Sequence, residues 1–248
     1  MPRKTTNKCL FLPENTDVSW KPLLTPEVLK ILKKIENQTG SDAGEITPET
    51  GFVLRFLQVP AGSIKIIILG QDPYPQPGIA TGRAFEVNVL KSWEQSFKNI
   101  SLKNIVRLIY KTYNKKTLTY SEIKNLIQSH KFNMLPPDRL FSNWEQQGVL
   151  LLNTGFTCKT GQPGSHSEIW KPFTLELLGY LAGNAALIWL LWGKHAEEIT
   201  REIPIQHKII TAHPMMCFNK PGRDNDFLFG KTNPFALTRH LVDWRGNN

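Results

Sequence analysis

Cysteine is scarce in this chain: Cys9, Cys158 and Cys217 are the only three among 248 residues. They are too few and too scattered for a disulfide framework, a zinc site or an iron–sulfur cluster. No metal and no cofactor is therefore expected, and a reducing, intracellular compartment fits better than a secreted one. No apolar stretch is long enough to span a bilayer, and "MPRKTTNKCL" lacks a signal peptide's apolar core. No membrane partner is expected, and residues 1–15 read as a flexible tail. Missing too are a Ser/Gly-rich or charge-block linker, an internal repeat and a low-complexity segment, so residues 1–248 are expected to form one domain. A glycine-rich phosphate loop ending in Gly-Lys-Ser or Gly-Lys-Thr is absent, and so is a carboxylate cluster for magnesium. Nucleotide hydrolysis is thereby disfavoured.

What is present begins with a 40% hydrophobic content, enough for one substantial core, and a formal charge of +9, which suits a polyanionic partner. Four short runs are almost continuously apolar: "IKIIILG" (64–70), "GVLLLNTG" (148–155), "ALIWLLWG" (186–193) and "HKIITAHP" (207–214). Each is too short for a typical helix and reads as a strand buried on both faces. Between them lie segments of helical spacing. "TPEVLKILKKIENQ" has Thr25 as N-cap, Pro26 at the first helical position, and Val28, Ile31, Leu32 and Ile35 on one face. "SLKNIVRLIYKTY", "SEIKNLIQ", "WKPFTLELLGYLAG" and "NPFALTRHLVDW" read similarly, the last starting at Asn233-Pro234, while "KTYNKKTLTY" reads as a polar connection. Strands alternating with helices predict a three-layer α/β domain: a central, mainly parallel four-stranded sheet flanked by helices.

The residues that follow the runs carry the chemistry. They are Gln71-Asp72, Asn153, Gly193-Lys194 and His213. Ligands of open parallel sheets bind beyond the carboxyl ends of the strands, so a carboxylate, an amide, a cation and an imidazole are expected in one crevice. Singly, Asp72 also reads as a turn cap, Asn153 as a backbone partner and His213 as a packed core histidine. The other histidines, His130, His166, His195, His207 and His240, are assigned to structure or surface.

"GQDPYP…GRAF", "GVLLLNTGFT", "LLWGKHAEE" and "TAHP…KTN" together resemble the landmarks of the family-one uracil-DNA glycosylases, over nearly the whole chain. The resemblance implies a base-excision DNA repair enzyme that flips uracil from DNA and hydrolyses its N-glycosidic bond, leaving an abasic site. Asp72 would orient or deprotonate the water and stabilise the sugar cation; His213 would donate to uracil O2. Asn153 would match the O4 and N3–H edge. Tyr74 would exclude the 5-methyl of thymine, Phe85 would stack on the base, and backbone near Gln71 would approach it. Uracil-containing DNA, single- or double-stranded, is the implied partner, with a DNA-mimicking inhibitor protein as a further one. A monomer is the expected state.

Departures from the family pattern cluster outside that pocket. Pro75 stands where the family has histidine after GQDPY. "VLKSWEQSFKNISLKN" replaces the proline-rich minor-groove loop, with Ser101 in it, and Lys194 after Gly193 replaces a phosphate-touching serine. The family's HPSPLS becomes "HPMMCF": Met215 removes a hydroxyl, and Cys217 takes the place of the leucine that fills the hole left by the flipped base. Phe218 or Met216 would then be the wedge, or the stretch packs inwards and nothing intercalates. Lys220 and Arg223 read either as backbone contacts or as solubilising charge. An altered DNA grip predicts a preference for single-stranded or easily opened DNA. A DNA-binding or processivity module on the same fold is the alternative; Asp72 and His213 argue against it. A deaminated purine is a poorer substrate choice, because Tyr74 and Phe85 leave little room.

Overall fold

The computed structural model describes residues 9–40 and 45–246. Its strands are β1 (Ile46–Thr47), β2 (Ile66–Gly70), β3 (Val149–Asn153), β4 (Cys158–Lys159), β5 (Ile188–Trp192) and β6 (His207–Thr211). Its α-helices are α1 (Pro26–Thr39), α2 (Ile100–Asn114), α3 (Tyr120–Gln128), α4 (Pro137–Gln146), α5 (Ser167–Ala182), α6 (Lys194–Ile199) and α7 (Pro234–Thr238). The main sheet has the order β3-β2-β5-β6, every pair parallel, and β1 pairs with β4 antiparallel at one side.

Strand side chains alternate between the two faces, and both faces are apolar. Ile67, Leu69, Leu150, Leu152, Trp189 and Leu191 pack with α1 and α5. Ile66, Ile68, Val149, Leu151, Leu190 and Trp192 pack against α2, α4 and α7. That double burial is why the runs look continuously apolar, and it produces the expected three layers. Strand β6 is the exception. It pairs with β5 alone at one edge of the sheet, and His207, Lys208 and Ile210 are exposed, whereas β3 at the other edge is buried throughout.

Helix α1 starts as the sequence predicts, with Thr25 Oγ1 accepting the Val28 N–H at 3.3 Å, a cap worth about 1 kcal/mol. Asn233 likewise caps α7 through the Ala236 N–H at 3.0 Å. That helix stops at Thr238, far short of the expected length. The chain turns there to bury Trp244, whose ring lies 5.2 Å from Trp144 and 4.6 Å from Phe235. The supposed polar connection is also partly helical. Residues 111–114 finish α2, and Thr119 forms a capping box with Glu122 at the start of α3. Within the expected tail, Cys9 and Phe11 are buried in the core and the Leu10 N–H reaches the Glu36 carboxylate at 3.1 Å. Residues 1–8 lie outside the described part. No described helix is long and apolar enough to cross a membrane.

Candidate active site

Strands β2 and β3 end side by side, with Gly70 opposite Asn153. The chain leaving β2 is then stitched to the chain leaving β3. Gln71 O accepts the Gly155 N–H at 2.8 Å, and Pro75 O accepts the Gly161 N–H at 2.8 Å. Thr47 Oγ1, on β1, donates to Tyr74 O at 3.0 Å. Two prolines and these bonds leave the 71–75 loop little freedom.

The loop forms one wall of a cavity of about 440 Å³. Gln71, Asp72, Tyr74, Phe85, Ser101, Asn153, His213 and Met215 all line it. Gly193, Lys194 and His195 line an adjoining cavity of about 190 Å³, which shares Gln71 and His213 with the first. Gly193 has φ +92°, and a Cβ there would lie 2.8 Å from His213 Cβ. Only glycine lets the imidazole settle against the end of β5.

Burial dominates the electrostatics. It raises the Asp72 pKa above the ordinary aspartate value, against the lowering effects of a hydrogen bond from Ser167 and the nearby His195. It depresses the His213 pKa below that of a free imidazole, and His213 Nδ1 accepts the Met215 N–H at 3.2 Å. The neutral ring therefore carries its proton on Nε2. Burial pushes Tyr74 up to about 12, so it is a neutral phenol here; its hydroxyl donates to Phe85 O at 3.4 Å. Phe85 adopts φ +66°, a left-handed conformation unfavourable for an aromatic residue. Its ring is 5.3 Å from Trp192 and 6.3 Å from His213.

A buried ionic cluster holds the turn carrying Phe85. Arg83 binds Glu145 of α4 through Nε at 3.0 Å and Nη2 at 2.6 Å, and Glu86 through Nη1 at 3.1 Å. Thr81 Oγ1 donates to Glu86, and Arg55 Nη1 to Thr81 O at 3.0 Å. Sequence reasoning did not single out Arg83 or Glu145. Nor did it find Ser167, 95 positions from its partner Asp72. His195, assigned to structure or surface, instead lies beside Asp72, with Nε2 2.6 Å from Thr154 Oγ1. His166 is structural, buried against Thr157 at 2.9 Å, and His130, His207 and His240 are exposed. Among the described residues no three His, Cys, Asp or Glu side chains cluster to hold a metal ion.

The chain after His213 is braced from beneath. Asn104 Nδ2 of α2 donates to Pro214 O at 2.7 Å. Buried Asp226 accepts the Phe218 N–H at 2.8 Å. Arg223 donates to Met216 O at 2.8 Å and lies 4.9 Å over the Phe218 ring. Met215, Met216, Phe218 and Lys220 remain exposed, whereas Cys217 packs against the core with its thiol on Pro214 O at 3.2 Å. Cys217 is thus partly buried while Phe218 beside it is exposed, and Arg223 is engaged by Met216 O and the Phe218 ring. The Asp226 anchor on the Phe218 N–H turns this loop so that residues 217 and 218 face opposite ways.

Fold and cavity define an open-sheet α/β protein with a pocket at the carboxyl ends of its strands, a ligand-binding architecture. The chain belongs to the uracil DNA glycosylase superfamily, whose family model matches residues 56–236. A uracil-DNA glycosylase of Alkaliphilus metalliredigens is 33% identical over 195 residues, covering 77% of this chain and 76% of that protein. Among solved structures, the UNG of Nitratifractor salsuginis superposes with a TM-score of 0.69 at 21% identity, over 95% of this chain and 94% of that one. A mimivirus UNG variant in complex with UGI has a TM-score of 0.63 at 22% identity, over 96% and 86%. The family-one branch is the one these relatives represent, and the chain is a hydrolase of DNA repair that excises uracil from DNA.

Proposed function

We propose that excision proceeds in the 440 Å³ cavity, with Asp72 and His213 as the catalytic residues. The convergence of Asp72, Tyr74, Phe85, Asn153 and His213, from four separated stretches of chain, is the observation that supports this reading. As the N-glycosidic bond breaks, the sugar becomes cationic and the base leaves as an anion. Ionised Asp72 stabilises the cation and takes a proton from the water that attacks the sugar. His213 donates Nε2–H to uracil O2 as charge builds there. A well-placed donor of this kind is worth about 3 kcal/mol in a closed site.

Asn153 reads the base. Its amide gives N–H to O4 and accepts from N3–H; cytosine reverses both, leaving buried groups unpaired at about 1–3 kcal/mol each. The Tyr74 ring excludes a 5-methyl group and Phe85 stacks on the ring, with Gln71 backbone alongside. Ser101, Gly193, Lys194, Met215, Met216, Phe218 and Lys220 form the DNA-facing rim, with Phe218 as the wedge. A DNA-mimicking inhibitor would meet the same rim. The chain works as a monomeric single domain, inside the cell where DNA is repaired.

The test is release of uracil from a labelled oligonucleotide carrying one uracil, presented single-stranded, opposite G and opposite A, without added metal. Asp72→Asn and His213→Ala are run alongside. Loss of release in both variants with a folded protein is expected, with faster turnover on the single strand. Undiminished release by Asp72→Asn would move the chemistry to another group.

A further inference from the structure

The Asp72 carboxylate is held from outside the loop that carries it. Ser167, the first residue of α5, donates its hydroxyl to Asp72 Oδ1 at 3.0 Å. Pro73 and Pro75, flanking Tyr74 in the same loop, have no N–H to offer. Space for the contact comes from Gly155, where a Cβ would lie 2.7 Å from Oδ1 and 3.7 Å from Ser167 Oγ. Gly164, at φ +78°, leaves the neighbourhood of Oδ2 open: a Cβ there would be 3.8 Å from that oxygen. Among the described residues Ser167 is the hydrogen-bond donor to this carboxylate.

We propose that Ser167 is the positioning residue for Asp72: its hydroxyl fixes the carboxylate through Oδ1 and leaves Oδ2 as the oxygen that meets water and sugar. This rests on the role of Asp72 given above. A carboxylate with both oxygens free would rotate about its terminal bond, a broad torsion with no strong well. One charge-assisted hydrogen bond removes that freedom and favours the ionised form. Other groups face Asp72 from the neighbouring elements. His195 of α6 and Cys158 of β4 both lie close enough to interact with its charge. Burial pushes the thiol up to about 11 and the imidazole below its ordinary range, so both are uncharged at neutral pH. Glu168, Lys171 and Glu198 line the far cavity, of about 250 Å³, that Ser167 and His195 share with Thr154. None of these three is a hydrogen-bond or charge partner of Asp72, whereas the Ser167 hydroxyl reaches the carboxylate itself.

The experiment compares wild type, Ser167→Ala and Ser167→Thr on a single-stranded uracil oligonucleotide, measuring kcat and KM across pH. In parallel the carboxyl of ¹³C-labelled Asp72 is titrated by NMR, a readout that needs no turnover. Ser167→Ala is expected to lower kcat about tenfold with KM within about twofold, and to raise the Asp72 pKa and the acid limb of kcat by about one unit. Ser167→Thr, which keeps the hydroxyl, is expected to restore both. An unchanged carboxyl titration in Ser167→Ala would overturn the proposal, as would a Ser167→Thr enzyme as slow as the alanine variant though folded. Asp72→Asn separates the two layers. If it still excises uracil at the wild-type rate the role of Asp72 has failed, whereas the NMR titration judges the Ser167 contact independently.

Discussion

The Met215 N–H donates to His213 Nδ1 at 3.2 Å, so a residue two positions along the chain sets the tautomer of the imidazole in the pocket. Burial keeps the ring neutral, and in the proposed mechanism the Nε2 proton is the one offered to the departing base. His213→Ala is expected to reduce kcat on a single-stranded substrate about 10²–10³-fold, with a smaller change in KM. Steady-state kinetics decide it; a loss under threefold would assign the oxyanion to another donor.

In the proposed mechanism the ionised Asp72 is the working form, and its folded pKa is raised by burial. Activity is therefore expected to fall, as pH is lowered, through a range above that of ordinary aspartates. The same shift means that an ionised Asp72 costs folding stability once pH exceeds its unfolded pKa, because the native state holds the proton more tightly. Asp72→Asn should thus be inactive yet melt at a higher temperature near neutral pH. A lower Tm would show that the Ser167 bond outweighs desolvation.

Phe218 is exposed and held by Arg223, whereas Cys217 faces inward. Phe218→Ala should slow excision from a paired duplex about tenfold, in line with base unstacking worth a few kcal/mol per step, and leave the single strand nearly untouched. Cys217→Ala should act on thermal stability more than on the duplex to single-strand ratio. Equal ratios for Phe218→Ala and wild type would remove Phe218 as the wedge.

Arg83 links Glu86 to Glu145, with side chains of Arg83 and Glu145 only 9% and 18% exposed. Glu145→Ala leaves that guanidinium half-paired, and truncating one partner of such a pair costs about 3–5 kcal/mol. Urea denaturation is expected to read the lower end, since Glu86 stays in place. Because the cluster supports the strained turn at Phe85, KM for uracil DNA should rise as well. Unchanged KM with reduced stability would confine the cluster to folding.

The four sheet strands and the residues at their ends were legible in the chain because burial on two faces and the carboxyl-end rule are written in local order. Asp72, Asn153 and His213 follow apolar runs directly, and the pocket inherits them from β2, β3 and β6. Helix α4 carries a start signal in Pro136-Pro137 and Asp138, whereas α6, with six residues, has too little periodicity to declare itself. The end of α7 was not legible, since Trp244 folding back on Trp144 stops it.

By itself, then, the sequence determined the layer architecture from neighbours within a few residues, and the type of chemistry through motifs that resemble one family along nearly the whole chain. Tertiary structure alone decided which groups touch them. Ser167 on Asp72, Glu145 beneath Arg83, and Asp226 turning Phe218 out and Cys217 in depend on elements brought together by packing the core. The first two pairs lie 95 and 62 positions apart. Spacing along a chain encodes which face a side chain takes, whereas contacts at such separations depend on how whole elements pack against one another.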